Sequence, residues 1–192
     1  MDDKLYRVLK YVAVVMVVAW LGFTVYDSFF REYSPGEHAY HAGSKHFEDG
    51  EYREALAQYD AALEQEPDAP YLLRARARTL MQLGRNEEAL REYNRAIDLL
   101  PYFGGAYANR GILQDRMGNY EQAIADYEKA LSLDEELGEG PHWLVRFLRN
   151  EPEKPPTIRD RAAYLKQELA KPPQERVLRV PEIDAAQRTY KK

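Results

Sequence analysis

Between residues 36 and 137 apolar positions recur at helical spacing, and the whole pattern returns every 34 residues without a gap. Gly50, Gly84 and Gly118 share a column, as do Ala55, Ala89 and Ala123. Tyr59, Tyr93 and Tyr127 share another, followed by Ala62, Ala96 and Ala130, and then by Leu63, Ile97 and Leu131. Pro67 and Pro101 close the first two blocks, whereas Glu135 stands in that place in the third. Helices are expected near 35–48, 52–66, 70–83, 86–99, 104–117 and 120–133.

Each column has a physical reading. The shared Gly lies where one helix stops and the chain reverses, which favours a left-handed backbone. The two Ala columns, seven residues apart, put a small side chain on one face every second turn, so a neighbouring helix can come close. Tyr, between them, fills the gap with a large ring. Pro denies the second helix further hydrogen bonds. Each block is therefore a helix–turn–helix unit, and the units must stack to bury their faces. Asn86 and Asn119 are expected as N-caps.

This spacing resembles the tetratricopeptide repeat (TPR) family. Gly43, Ala77 and Gly111 meet the family's small residue on the first helix, and Ala39, Leu73 and Tyr107 stand where it has a large aromatic. The resemblance covers about half the chain. It implies an all-α fold: a right-handed three-repeat solenoid (36–69, 70–103 and 104–137) whose inner face, built from the first helices, binds a peptide or protein segment. It implies no reaction. It also places Tyr40, Ser44 and Phe47 on that face, then Tyr71, Arg74, Arg78 and Met81, then Ala108, Ile112, Asp115 and Arg116. The Lys and Asn clamp of the chaperone-binding members is not reproduced: Tyr40, Ser44 and Ala75 occupy its positions, and only Asn109 fits.

Ahead of the repeats, residues 11–26 carry no charge, and Lys4, Arg7 and Lys10 precede them. Counting from Val8 gives about 19 residues, or about 28 Å of helix, enough for a hydrocarbon core. Tyr6 and Tyr11 at one end, and Trp20, Tyr26, Phe29 and Phe30 towards the other, suit the interfaces. The basic residues before the span put the N-terminus in the cytoplasm and the repeats across the membrane. The expected layout is cytoplasmic N-terminus plus transmembrane anchor at 1–33. The rival reading is a cleaved signal peptide, whose small residues at −3 and −1 only Gly22-Phe23-Thr24 approaches. The span has no small-xxx-small pattern to favour self-pairing. Ser34, Pro35 and Glu37 read as a helix start, which brings the repeats close to the bilayer.

After the repeats, capping helices are expected over 138–170 and an extended tail over 171–192. Solenoids need a terminal cap. Pro141 to Asn150 offers one through Trp143, Leu144, Phe147 and Leu148, although Trp143 also suits a binding aromatic. Residues 151–156 form a stiff connector. Thr157 and Asp160 make a capping-box start for a helix from Arg159 to Ala170, with Tyr164, Leu165 and Leu169 inward. Val177 to Ile183 alternates apolar and polar residues; four aliphatics in seven call for a surface to lie against, either the solenoid or a partner chain.

Composition narrows the functional class. Net charge is −5, with +1 in the first ten residues, and an acidic body disfavours general nucleic-acid binding. With no Cys, thiol chemistry and Cys-ligated metals are excluded. His38 and His41 are i, i+3 with Glu37 nearby, but His46 takes the packing position that Leu80 holds in the second repeat, so no metal or other cofactor is expected. Nothing resembles a nucleophile–base pair, phosphate loop or carboxylate pair, so no catalysis is expected.

The candidate partner-binding residues are Tyr40, Phe47, Tyr71, Arg74, Arg78, Met81 and Arg116. Arg74 and Arg78 are one turn apart and suit an acidic or C-terminal carboxylate-bearing segment; a solvated basic stripe is the alternative. Together these features lead to the expectation of a single-pass inner-membrane protein of bacterial type presenting its repeats to the periplasm. It would hold protein segments during assembly or chaperoning of membrane or exported proteins, or serve as a permanent accessory subunit of a larger membrane complex.

Overall fold

A computed structural model describes residues 3–30, 35–148, 150, 154–181 and 189–190. It divides into two units, residues 1–34 and 35–192. The first is one helix, α1 (Asp3–Phe30), in which Lys4–Asp27 is long and apolar enough, by length and composition, to cross a membrane.

The second unit holds six helices in three hairpins: α2 (Pro35–Glu48) with α3 (Tyr52–Gln65), α4 (Pro70–Gln82) with α5 (Asn86–Leu99), and α6 (Gly104–Met117) with α7 (Tyr120–Leu133). These bounds fall within a residue of those read from the repeat. At the three turns Gly50, Gly84 and Gly118 have φ of 79°, 72° and 84°, the left-handed region where a Cβ is penalised. After α6 the turn is sealed by Gly118 N–H donating to the Asp115 carbonyl at 3.0 Å and Asn119 N–H to that of Gln114 at 2.9 Å. The expected Asn caps are not made. Asn86 is already inside α5, and the Asn119 amide donates to Gln114 Oε1 at 2.9 Å instead of capping α7.

Inside each hairpin the Ala and Tyr columns do what their sizes allow. Tyr59, Tyr93 and Tyr127 are fully buried, as are Ala55, Ala89 and Ala123. A Cβ on Gly111 would lie 2.7 Å from the Tyr127 ring and one on Gly43 2.8 Å from Tyr59, so glycine there sets how closely the paired helices approach. Between hairpins a second 34-residue register operates. Arg76 donates to Asp60 at 2.6 Å and Glu92 at 2.9 Å, and Arg110, one period on, donates to Asn94 and Asp126, both at 2.8 Å. Of the RARAR run, then, the middle arginine serves the stack.

After the last repeat two further α-helices follow among the described residues, of which the second packs on α7. α8 (Trp143–Leu148) leaves Phe147 and Leu148 74% and 76% exposed. The covering helix is α9 (Ile158–Leu169), which buries Ile158, Ala162 and Leu165 in the cluster that also holds Ile112, Leu113 and Tyr127. It starts with the expected capping box: Thr157 N–H donates to Asp160 Oδ2 at 2.9 Å, and Asp160 N–H to Thr157 Oγ1 at 3.3 Å. The amphipathic pattern of α9 was legible; the charged residue that anchors it, Arg161, was not. Ser34, residues 151–153, and Glu182 with Ile183 lie outside the described residues, as do the side chains of Phe29, Phe30, Trp143 and Leu144.

Candidate functional site

The first helices of the three hairpins, α2, α4 and α6, bring Tyr40, Tyr71, Arg74, Ala75, Arg78 and Asn109 around one cavity of about 20 Å³, closed on one side by Tyr190. That volume holds about one water, so the groove is nearly full. Tyr40 stands edge-on to Tyr71, with ring centroids 5.1 Å apart. The Tyr71 hydroxyl donates to Glu66 Oε2 at 2.9 Å; burial, then this carboxylate, push its phenol up to about 12.

The two arginines on α4 are i, i+4 and both line the cavity. The Arg74 guanidinium lies 3.7 Å from the centroid of Phe103, and that of Arg78 lies 4.2 Å from Phe47. Arg74 Nε donates to the Pro70 carbonyl at 3.3 Å. Arg78 is 9% exposed, and its Nε is buried without a hydrogen-bond partner. Neither arginine has a carboxylate partner among the described residues, whereas Arg76 between them has two. Burial pushes the Arg74 guanidinium down and the Tyr93 phenol up; Arg78 and Arg74 pull Tyr93 the other way. The Tyr93 hydroxyl is also buried and unpartnered.

Of the other expected residues, Phe47 supports Arg78 from below, and Met81 is in the core at 4% exposure. Met81 does not line the cavity: its position on α4 leads into the cluster around Leu80 and Leu113, and an apolar side chain gains by entering it. Arg116 does not line the cavity, and its carbonyl accepts from Arg179 Nη2 at 3.1 Å. Ala108, Ile112 and Asp115 are likewise taken into the interior. His46 does not pack as Leu80 does; its Nδ1 bonds Glu51 Oε2 at 2.6 Å. Among the described residues no three metal-ligating side chains cluster.

Asn109, Phe103 and Tyr190 also belong to the site and are not among the expected partner-binding residues. Asn109 Nδ2 donates to the Tyr190 carbonyl at 2.8 Å, and Tyr190 N–H donates to Asn109 Oδ1 at 2.7 Å. One buried carboxamide thus reads both backbone groups of one residue. The agreement of Asn109 with the family's clamp position was the available signal. A larger cavity, about 320 Å³, lies between α3, α4 and α5, where Arg76 and Arg95 already hold acidic partners. It offers no unpaired cation, so the smaller cavity is the candidate site.

Sequence comparison with curated proteins gives no significant match. Among solved structures, the first TPR of Spaghetti (RPAP3) bound to the HSP90 peptide SRMEEVD superposes with a TM-score of 0.55 at 24% identity, over 74% of this chain and 99% of that one. The second TPR of the same protein with the same peptide gives 0.51 at 25%, over 53% and 94%. The TPR2B domain of yeast Sti1 in complex with pHsp70 gives 0.52 at 24%, over 61% and 92%. Family models described as tetratricopeptide repeat match residues 40–102 and 105–137, so the chain belongs to the tetratricopeptide repeat family.

Proposed function

We propose that this chain is a non-catalytic protein-interaction module, anchored at a membrane by α1, whose groove holds an extended, carboxylate-bearing segment of another protein. The observation that carries the reading is the pair Arg74 and Arg78: two cations facing one cavity with no carboxylate partner among the described residues, one with a buried Nε that has no hydrogen-bond partner among them. A buried guanidinium without an anion is costly, and an acidic ligand would repay that cost with paired hydrogen bonds. Asn109 would bind the ligand's backbone, and Tyr40 with Tyr71 would flank it. The SRMEEVD peptide of the structural neighbours is an acidic ligand of the same class. This chain would meet it with other residues, since Tyr40, Ser44 and Ala75 replace the clamp.

The membrane reading rests on the length and composition of Lys4–Asp27 and on the basic residues before it. It puts the N-terminus in the cytoplasm and the repeats outside it, in an inner membrane of bacterial type, with assembly or chaperoning of membrane or exported proteins as the role. Protease added to spheroplasts should then digest the repeats; their protection would reverse the orientation. A photo-reactive residue at position 71 should cross-link a partner in intact membranes, and one at the outward Glu121 should not. Equal adducts from both would remove the groove from the account.

A permanent accessory subunit is the second reading, favoured by the exposed apolar pair Phe147 and Leu148. Such a subunit should stay with its complex in high salt, whereas a groove-bound segment should dissociate.

A further inference from the structure

We infer that the C-terminal segment is a tethered, exchangeable occupant of the groove, so that a partner segment binds by displacing this chain's own Tyr190. The inference rests on the groove reading above. Tyr190 is held at three points: its N–H and carbonyl by the Asn109 carboxamide, and its hydroxyl, which donates to the Leu137 carbonyl at 2.8 Å. The segment is also held upstream. The Val177 carbonyl accepts from the Tyr164 hydroxyl at 2.7 Å, and the Leu178 carbonyl from Arg161 Nη2 at 2.9 Å.

These contacts have the form of peptide recognition. At Tyr190, main-chain groups are read by a carboxamide that accepts and donates at once, which fixes the direction of the bound strand. Tyr190 borders the same cavity as Arg74 and Arg78, and among the described residues no carboxylate pairs with either arginine. At Tyr190 the tail occupies the backbone-reading half of the site, and among the described residues it gives the arginines no anion. A segment that offers an extended backbone to Asn109 and a carboxylate to the arginines makes both sets of contacts and can win. Because the tail is tethered, it competes at a high effective concentration, which weakens capture of segments lacking the acidic group.

Two measurements on the full chain in detergent test this. The first is amide exchange at Tyr190. The N–H should be protected in the parent, and Asn109→Ala, which removes its acceptor, should raise its exchange at least about tenfold. The second uses a fluorescein-labelled peptide of residues 176–192 carrying Lys191→Glu and Lys192→Glu. Its affinity should rise about tenfold in Tyr190→Ala, which removes the ring and the hydroxyl's bond to Leu137 and so weakens the tail's hold, and fall in Asn109→Ala. An unprotected Tyr190 amide, with peptide binding that is unchanged by Tyr190→Ala but sensitive to Arg74, overturns self-occupancy and leaves the groove reading standing. A protected amide with no peptide binding to the parent or to Tyr190→Ala overturns exchange and the groove reading together. Circular dichroism of each variant separates loss of contact from loss of fold.

Discussion

Arg161 on α9 and Asp115 on α6 form a two-pronged ion pair, Nε to Oδ2 at 2.7 Å and Nη2 to Oδ1 at 2.8 Å, with side chains only 1% and 3% exposed. The Tyr127 hydroxyl also donates to Asp115, at 3.3 Å, so the pair ties the closing helix to both helices of the last repeat. Breaking one side leaves an uncompensated buried charge. Arg161→Met or Asp115→Leu alone should cost about 3–5 kcal/mol, whereas the two together should cost much less. Urea denaturation of the four proteins in a mutant cycle checks this. Equal losses in single and double variants would show that the pair is not what holds α9.

Gly118 tests the reading of the turns. At φ of 84° a Cβ crowds the backbone, so Gly118→Ala should destabilise by about 1–2 kcal/mol. Asn tolerates this region best among the other residues and β-branched Val worst, giving the order Gly, Asn, Ala, Val in melting temperature. An Ala variant as stable as the parent would mean that the turn does not need the left-handed backbone.

The tyrosines give a pH dependence with a definite sign. Tyr71 is pushed up to about 12 by burial and then by Glu66, and Tyr190 up to about 12 by burial. Unfolded phenols ionise near about 10, so the folded state holds these protons longer. The contribution is whole below about pH 10 and lost as pH rises towards 12. Melting temperature should fall over that window, and less steeply in Tyr71→Phe with Tyr190→Phe. An unaltered slope in the double variant would remove both phenols from the explanation.

Much of this was open to the sequence because the repeat is written in size and conformation. A Gly, two Ala columns and a Tyr place the helix bounds, the turns and the inward faces, and those features rest on local spacing. Three things were not open. Met81 shares a helical face with Arg74, but periodicity does not say that an apolar side chain at the end of α4 is drawn into the core. Arg161 looks like a solvated residue until Asp115, 46 positions away, is beside it. The pairing of Asn109 with Tyr190 spans 81 positions and leaves no local trace. Two stretches after the repeats were amphipathic, and only packing distinguishes α9, which closes the stack, from α8, whose Phe147 and Leu148 face solvent.

The most direct measurement is capture of the partner by chains altered at Arg74 and Arg78. Glu at position 78 would bury an anion, so the suitable double change is Arg74→Gln with Arg78→Met, which keeps bulk and removes both charges. Charge-assisted contacts of this kind contribute about 1.5–3 kcal/mol each, so affinity should fall about a hundredfold or more with little change in melting temperature. Capture that survives the double change undiminished would contradict the claim that this groove grips its partners through those two guanidiniums.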